Sequence, residues 1–106
     1  MRLPIIISLA FVVSACGEAW QDNRIPFGGI IFAYSVDADQ DKPEDFRLVI
    51  KNAVQNVDAS REAGQYEGTK YCVETFGTSD IEWGQGPEAD PTIIKGNLHL
   101  NGSCSV

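Results

Sequence analysis

Hydrophobic residues are patterned differently in successive parts of this chain. From Pro4 to Ala15 the sequence is an uninterrupted uncharged run. About twelve residues are too few for a transmembrane helix, which needs roughly 20 to cross ~30 Å of hydrocarbon. Preceded by Arg2 and closed by small residues, the run has the form of an export signal. Ile30–Val36 is apolar at both parities and rich in β-branched and aromatic residues, which predicts a strand inside a sheet. Phe46, Val49, Ile50, Ala53, Val54 and Val57 then recur at helical spacing, opposite a wet face of Arg47, Lys51, Asn52, Gln55 and Asp58. Ahead of them Asp41-Lys42-Pro43-Glu44 carries the marks of a helix start: a capping acid, a proline for the first turn and a capping-box glutamate. The spacing predicts a helix over about 43–62, ended by Gly64, with Leu48 off its stripe. Phe46–Ile50 taken alone also reads as a strand.

Past the glycine the period shortens to two. Thr69–Phe76 alternates, Gly77-Thr78-Ser79-Asp80 is a turn, and Ile81-Glu82-Trp83 begins a partner strand, so a hairpin is expected. Residues 84–91 form a Gly/Pro loop, and Thr92–Leu100 makes a last strand broken at Gly96-Asn97, with a turn at Asn101-Gly102. The expected order is β-α-β-β-β, an α+β domain with one helix packed on an antiparallel sheet.

The residues ending the first run, Val13-Ser14-Ala15-Cys16, are an aliphatic residue, two small ones and a cysteine. This stretch resembles the lipobox of bacterial lipoproteins. The resemblance implies a signal peptide over residues 1–15, a fatty-acylated Cys16 as the mature N-terminus, a tether over 16–24 and a domain over 25–106. Gly17 stands where the family's inner-membrane retention signal has aspartate, which implies the outer membrane in a Gram-negative host. One acyl chain binds a bilayer reversibly, whereas two or three hold a protein there. The alternative is an ordinary secretory signal that leaves a soluble protein.

Cysteine parity agrees with the lipid. Of the three cysteines, Cys16 would be acylated, leaving Cys72 and Cys104 to pair as a disulfide in an oxidising compartment. Four clustered Cys/His ligands, as in a structural zinc site, are not present. The roughly ninety residues after Ala15 make one small domain, whose core is marginal without such a staple.

Charge narrows the partners. Arg2 is the one charged side chain in residues 1–15, so the remainder carries seven Lys/Arg against fifteen Asp/Glu, net −8. Nucleic-acid binding needs the opposite sign. The acidity serves solubility or steers the domain toward a basic protein.

Candidate chemistry is sparse. Asp37, Asp39 and Asp41 alternate like the opening of a calcium loop, but Lys42 and Leu48 occupy the positions of its glycine and its bidentate glutamate. A solvated acidic loop is the competing reading. His99 is the single histidine, between Leu98 and Leu100, without partners for a triad. Gly84-Gln85-Gly86 lacks the later glycine of a phosphate loop. No catalytic residues are expected.

Trp83, Gly84, Gln85 and Gly86 are the candidate partner-binding residues, since tryptophan on a loop-bearing sheet is a common interface anchor. Trp83 as a core aromatic is the alternative. The element order resembles that of cystatin-type protease inhibitors, with Gly28-Gly29, the Gly77 turn and Trp83-Gly84 in similar sequence, although their Gln-x-Val-x-Gly motif is absent. The expectation is a non-enzymatic, lipid-anchored envelope protein that binds another envelope or extracellular protein. A soluble secreted inhibitor and a calcium-binding module are the alternatives.

Overall fold

The computed structural model describes residues 25–106; the expected signal peptide, Cys16 and the tether lie outside the described residues. Five strands and one long helix follow one another as β1 (Tyr34–Ala38), β2 (Asp45–Ile50), α1 (Val57–Phe76), β3 (Ile81–Gln85), β4 (Thr92–Ile94) and β5 (Asn97–Cys104). The architecture is α+β, one helix on an antiparallel sheet, with one more strand ahead of the helix than expected. The sheet runs β1-β2-β5-β3, and β4 also pairs with β5, so the eight-residue β5 has β2 on one side and β4 then β3 on the other.

The stretch read as a helix divides. Asp45–Ile50 is a strand because its alternation is stricter than its helical stripe: Phe46, Leu48 and Ile50 are buried while Arg47 is exposed. Leu48, off the helical stripe, is fully buried, whereas Val54, on it, is 58% exposed. Asp41-Lys42-Pro43-Glu44 belongs to the β1–β2 connection rather than to a helix start; Asp45 N–H bonds the Lys42 carbonyl and Asp39 N–H the Asp45 carbonyl.

The helix starts later and absorbs the segment read as alternating strand. Asn56 caps it, its Oδ1 accepting the Ala59 N–H at 3.1 Å. Gly77, at φ 75°, ends it in the left-handed conformation that suits glycine, its N–H reaching the Val73 carbonyl. Its buried face is Ala59, Ser60, Ala63, Gly64, Gly68 and Cys72, all small. Such a face carries little hydrophobic contrast, so the periodicity that marks most amphipathic helices is missing.

Small residues let the helix lie close to the sheet. A side chain on Gly64 would collide with the Leu100 methyl Cδ1. Leu48, Ile50, Leu98 and Leu100 fill the central layer beneath it. Cys72 and Cys104 join helix to β5 by a disulfide, as parity implied. Tyr71 Oη donates to the Pro43 carbonyl at 2.6 Å and ties the helix to the β1–β2 loop.

Asn101-Gly102 lies inside β5, not in a turn. Gly102 faces Trp83 in register, and the two strand residues Ile81 and Trp83 close over it. The break at Gly96 is a two-residue hairpin, with Lys95 at φ 53° and Gly96 at φ 83°.

Candidate protein-binding surface

The helix covers one face of the sheet. The other face is defined by the register of its strands. Asp37, Arg47 and Asn101 form one row across β1, β2 and β5, and Asp45, Ser103 and Glu82 form another. Arg47, Asp37, Glu82 and Asn101 are exposed. A shallow depression of about 390 Å³ opens here, lined by Asp37, Asp39, Asp45, Arg47, Glu82 and Asn101 among others. Four carboxylates thus surround one guanidinium. Antiparallel sheets with one solvated face alternate in this way, inward apolar and outward polar.

Asn101 shapes the far side of this surface. β3 bulges between Trp83 and Gln85, and Asn101 Oδ1 accepts the Gln85 N–H at 3.2 Å. Gly84 at the bulge has no room for a side chain, because the Asn101 carboxamide occupies that space. A bulge re-aims the strand at a sheet rim.

Three of the four candidate binding residues, Trp83, Gly84 and Gly86, line one open depression of about 400 Å³ together with Gln65 and residues 87–89, and Gln85 lies between them in the chain. Gly84 borders the open face. Trp83 points inward, its ring edge-on to Phe46 with centroids 5.7 Å apart. Gly86 is buried under the Trp83 side chain. Gln85 donates from Nε2 to the Asp90 carbonyl at 2.6 Å, and Arg61 Nη2 donates to the Ala89 carbonyl at 2.7 Å, so the 86–91 loop is pinned to β3 and to the helix. Trp83 is half-buried: it packs against the core and also lines the depression beside the 87–89 loop.

The acidic loop is organised by its own backbone. Asp39 accepts the N–H groups of Asp41 and Lys42 at 2.9 and 3.3 Å. These bonds hold its carboxyl below the usual carboxylate range. Asp37 instead lies on β1 and faces the open sheet, and among the described residues no three His, Cys, Asp or Glu side chains gather as a metal site. His99 sits on the open face between Val49 and Thr92.

A second feature escaped the sequence. Between β1 and the helix runs a narrow groove of about 100 Å³ lined by Tyr34, Val36, Glu67, Lys70, Tyr71 and Glu74. Burial pushes the Glu67 carboxyl up from its ordinary value, against the pull of Lys70 and Tyr34. Burial, then Glu67, likewise raises the Tyr34 phenol. The two strand residues lie more than thirty positions from the four on the helix, and that helix has no hydrophobic stripe to announce it.

No known protein family, no curated protein and no solved structure matches the chain.

Proposed function

We propose that this protein is a non-enzymatic binding module of the bacterial envelope, attached through lipid on Cys16, which engages another envelope or extracellular protein. The open sheet face carries this reading. It is broad, polar and acidic, it is uncovered among the described residues, and it holds charged side chains at a fixed spacing on rigid strands. Such a surface recognises a basic protein through charge placement and steered encounter. The lipobox-like Val13-Ser14-Ala15-Cys16 supports the anchor.

The test is expression of the full chain in bacteria, with the mature N-terminal peptide weighed and cross-linked partners recovered from the envelope. A diacyl or triacyl mass on Cys16, absent in Cys16→Ala, is expected, with a partner that is lost on the double charge reversal Asp45→Lys/Glu82→Lys. An unmodified N-terminus beginning elsewhere makes the protein a soluble secreted one. Recovery of no specific partner overturns the binding reading.

A further inference from the structure

Among the described residues the outer side of β1 is an unpaired sheet edge beside a groove. In the β1–β2 ladder Ala33 accepts the Lys51 N–H, and Asp39 donates to the Asp45 carbonyl. In an antiparallel ladder bonded pairs alternate, so with this register Ser35 and Asp37 also turn their backbone groups toward β2. Tyr34, Val36 and Ala38 therefore direct their N–H and C=O groups away from the sheet. Among the described residues no strand pairs with them. Natural edges are commonly blunted by lysine, proline or a bulge, and β1 (Tyr-Ser-Val-Asp-Ala) has none of these.

The side chains around this edge describe what fits. Tyr34 and Val36 floor the groove, and Glu67, Lys70, Tyr71 and Glu74 of the helix wall it. With a volume of about 100 Å³ it admits only short side chains. The Tyr34 hydroxyl and Lys70 lie beside the Glu67 carboxyl, and its Oε1, shielded from water, has no hydrogen bond of its own and can accept one more donor. On the opposite side of the same edge Asp37 and Asp39 line the acidic depression.

From this juxtaposition we infer that β1 takes an added strand from a partner protein, an extended basic segment with alternating side chains. Small hydroxylated or β-branched residues enter the groove toward Glu67, and lysine or arginine on the other parity meets Asp37 and Asp39. Main-chain bonds to Tyr34, Val36 and Ala38 supply affinity, and the alternating pockets supply specificity. A second copy of this chain is a poorer occupant, because it would set two acidic edges, each carrying Asp37 and Asp39 on the open face, side by side with no basic residue on β1 to meet them. The inference rests on the binding function proposed above and locates it.

The experiment uses the mature protein and a synthetic nonapeptide alternating lysine and threonine. Controls are the same peptide with glutamate for lysine, and one N-methylated at alternate residues, which keeps the charge and loses the strand edge. Residue-resolved amide exchange is read with and without peptide. Binding is expected to slow exchange at Val36 and Ala38 by at least about tenfold, the change that a tenfold excess over Kd imposes, while Ser35 and Asp37, already bonded to β2, change little. Both control peptides are expected to bind at least about tenfold more weakly. Ala38→Pro removes an outward N–H group at an exposed position and is expected to keep its circular dichroism and lose the peptide. Val36→Pro removes another outward N–H together with a half-buried side chain, and the two sites guard against one failing to fold.

Peptide binding with Val36 and Ala38 unprotected, equal binding of the N-methylated or glutamate peptide, or no binding at millimolar concentration overturns the inference. So does protection of those amides in a dimer without peptide, which would assign the edge to a second copy. If an envelope partner is recovered and survives Val36→Pro, the edge inference fails while the binding function stands. If no partner is recovered at all, the function fails as well.

Discussion

The Trp83 indole occupies the space that a side chain on Gly68 would need. A Cβ placed on Gly68 would lie 2.5 Å from Trp83 Cη2 and 3.2 Å from Cζ2, and the same ring covers Gly102 on the neighbouring strand. Two glycines, one on the helix and one on β5, thus frame a single aromatic ring. Gly68→Ala is expected to destabilise the domain by about 1–3 kcal/mol through overpacking. Helix propensity alone predicts the opposite, a gain of roughly 1 kcal/mol for replacing a helical glycine by alanine. Urea unfolding followed by Trp fluorescence separates the two, and a more stable variant would refute the close approach of helix and sheet.

Leu48 and Val54 distinguish the strand from the helix that residue spacing suggested. Leu48 is fully buried and Val54 is 58% exposed. Leu48→Ala is expected to cost about 2–5 kcal/mol. Val54→Ala is expected to stay within about 0.5 kcal/mol of wild type. A helix over 43–62 would reverse that order, so the pair of unfolding curves decides it.

The Cys72–Cys104 bond closes a loop with a sequence separation of 32. Loop-closure entropy assigns such a bond about 3–4 kcal/mol. The double variant Cys72→Ala/Cys104→Ala is expected to lose a comparable amount, with part of the loss coming from the buried sulfur packing. Thiol labelling of the unfolded, unreduced mature protein is expected to find neither cysteine reactive.

Asp39 and Glu67 tilt the pH dependence in opposite directions. The Asp39 carboxyl is depressed by two backbone N–H groups, so its contribution is present above its unfolded pKa and fades as pH falls through its folded one. Asp39→Ala is therefore expected to be less stable than wild type at pH 6, with the difference closing in acid. Glu67 is raised by burial, so its ionisation opposes folding at neutral pH and that cost disappears as the pH falls through its folded pKa. Glu67→Gln is expected to be the more stable protein at pH 7, with its advantage shrinking toward pH 4. Urea midpoints at these pH values measure both, and a Glu67→Gln advantage that grew in acid would contradict the burial of this carboxyl.

A strand at Ile81–Trp83 and the disulfide partners were legible in residue types and spacing, and Phe46–Ile50 carried its strand alternation beside the helical stripe that prevailed, whereas the break at Gly96 read as an interruption of one strand and is a hairpin between two. Period and parity are local properties, and they survive folding wherever one face is buried. The boundaries of the helix were not legible. Its buried side is Ala, Ser, Gly and Cys, chosen for close approach to Leu100 and Trp83 rather than for hydrophobic contrast. Thr69–Phe76 alternates in polarity by coincidence, and Gly64, which read as the end of a helix, lies inside it and with Gly68 marks where the sheet side chains come nearest.

The sequence by itself therefore determined the class of the domain, one helix on an antiparallel sheet, and the pairing of its last two cysteines. Both follow from patterns written in neighbouring residues and from counting. Tertiary structure alone decided which glycines are contacts, which face of the sheet the described residues leave open, and that Tyr34 and Val36 meet Glu67 beside a strand edge that none of the described residues pairs with. Those relationships join residues distant along the chain, and they exist only once the packing of helix against sheet has set the distance between them.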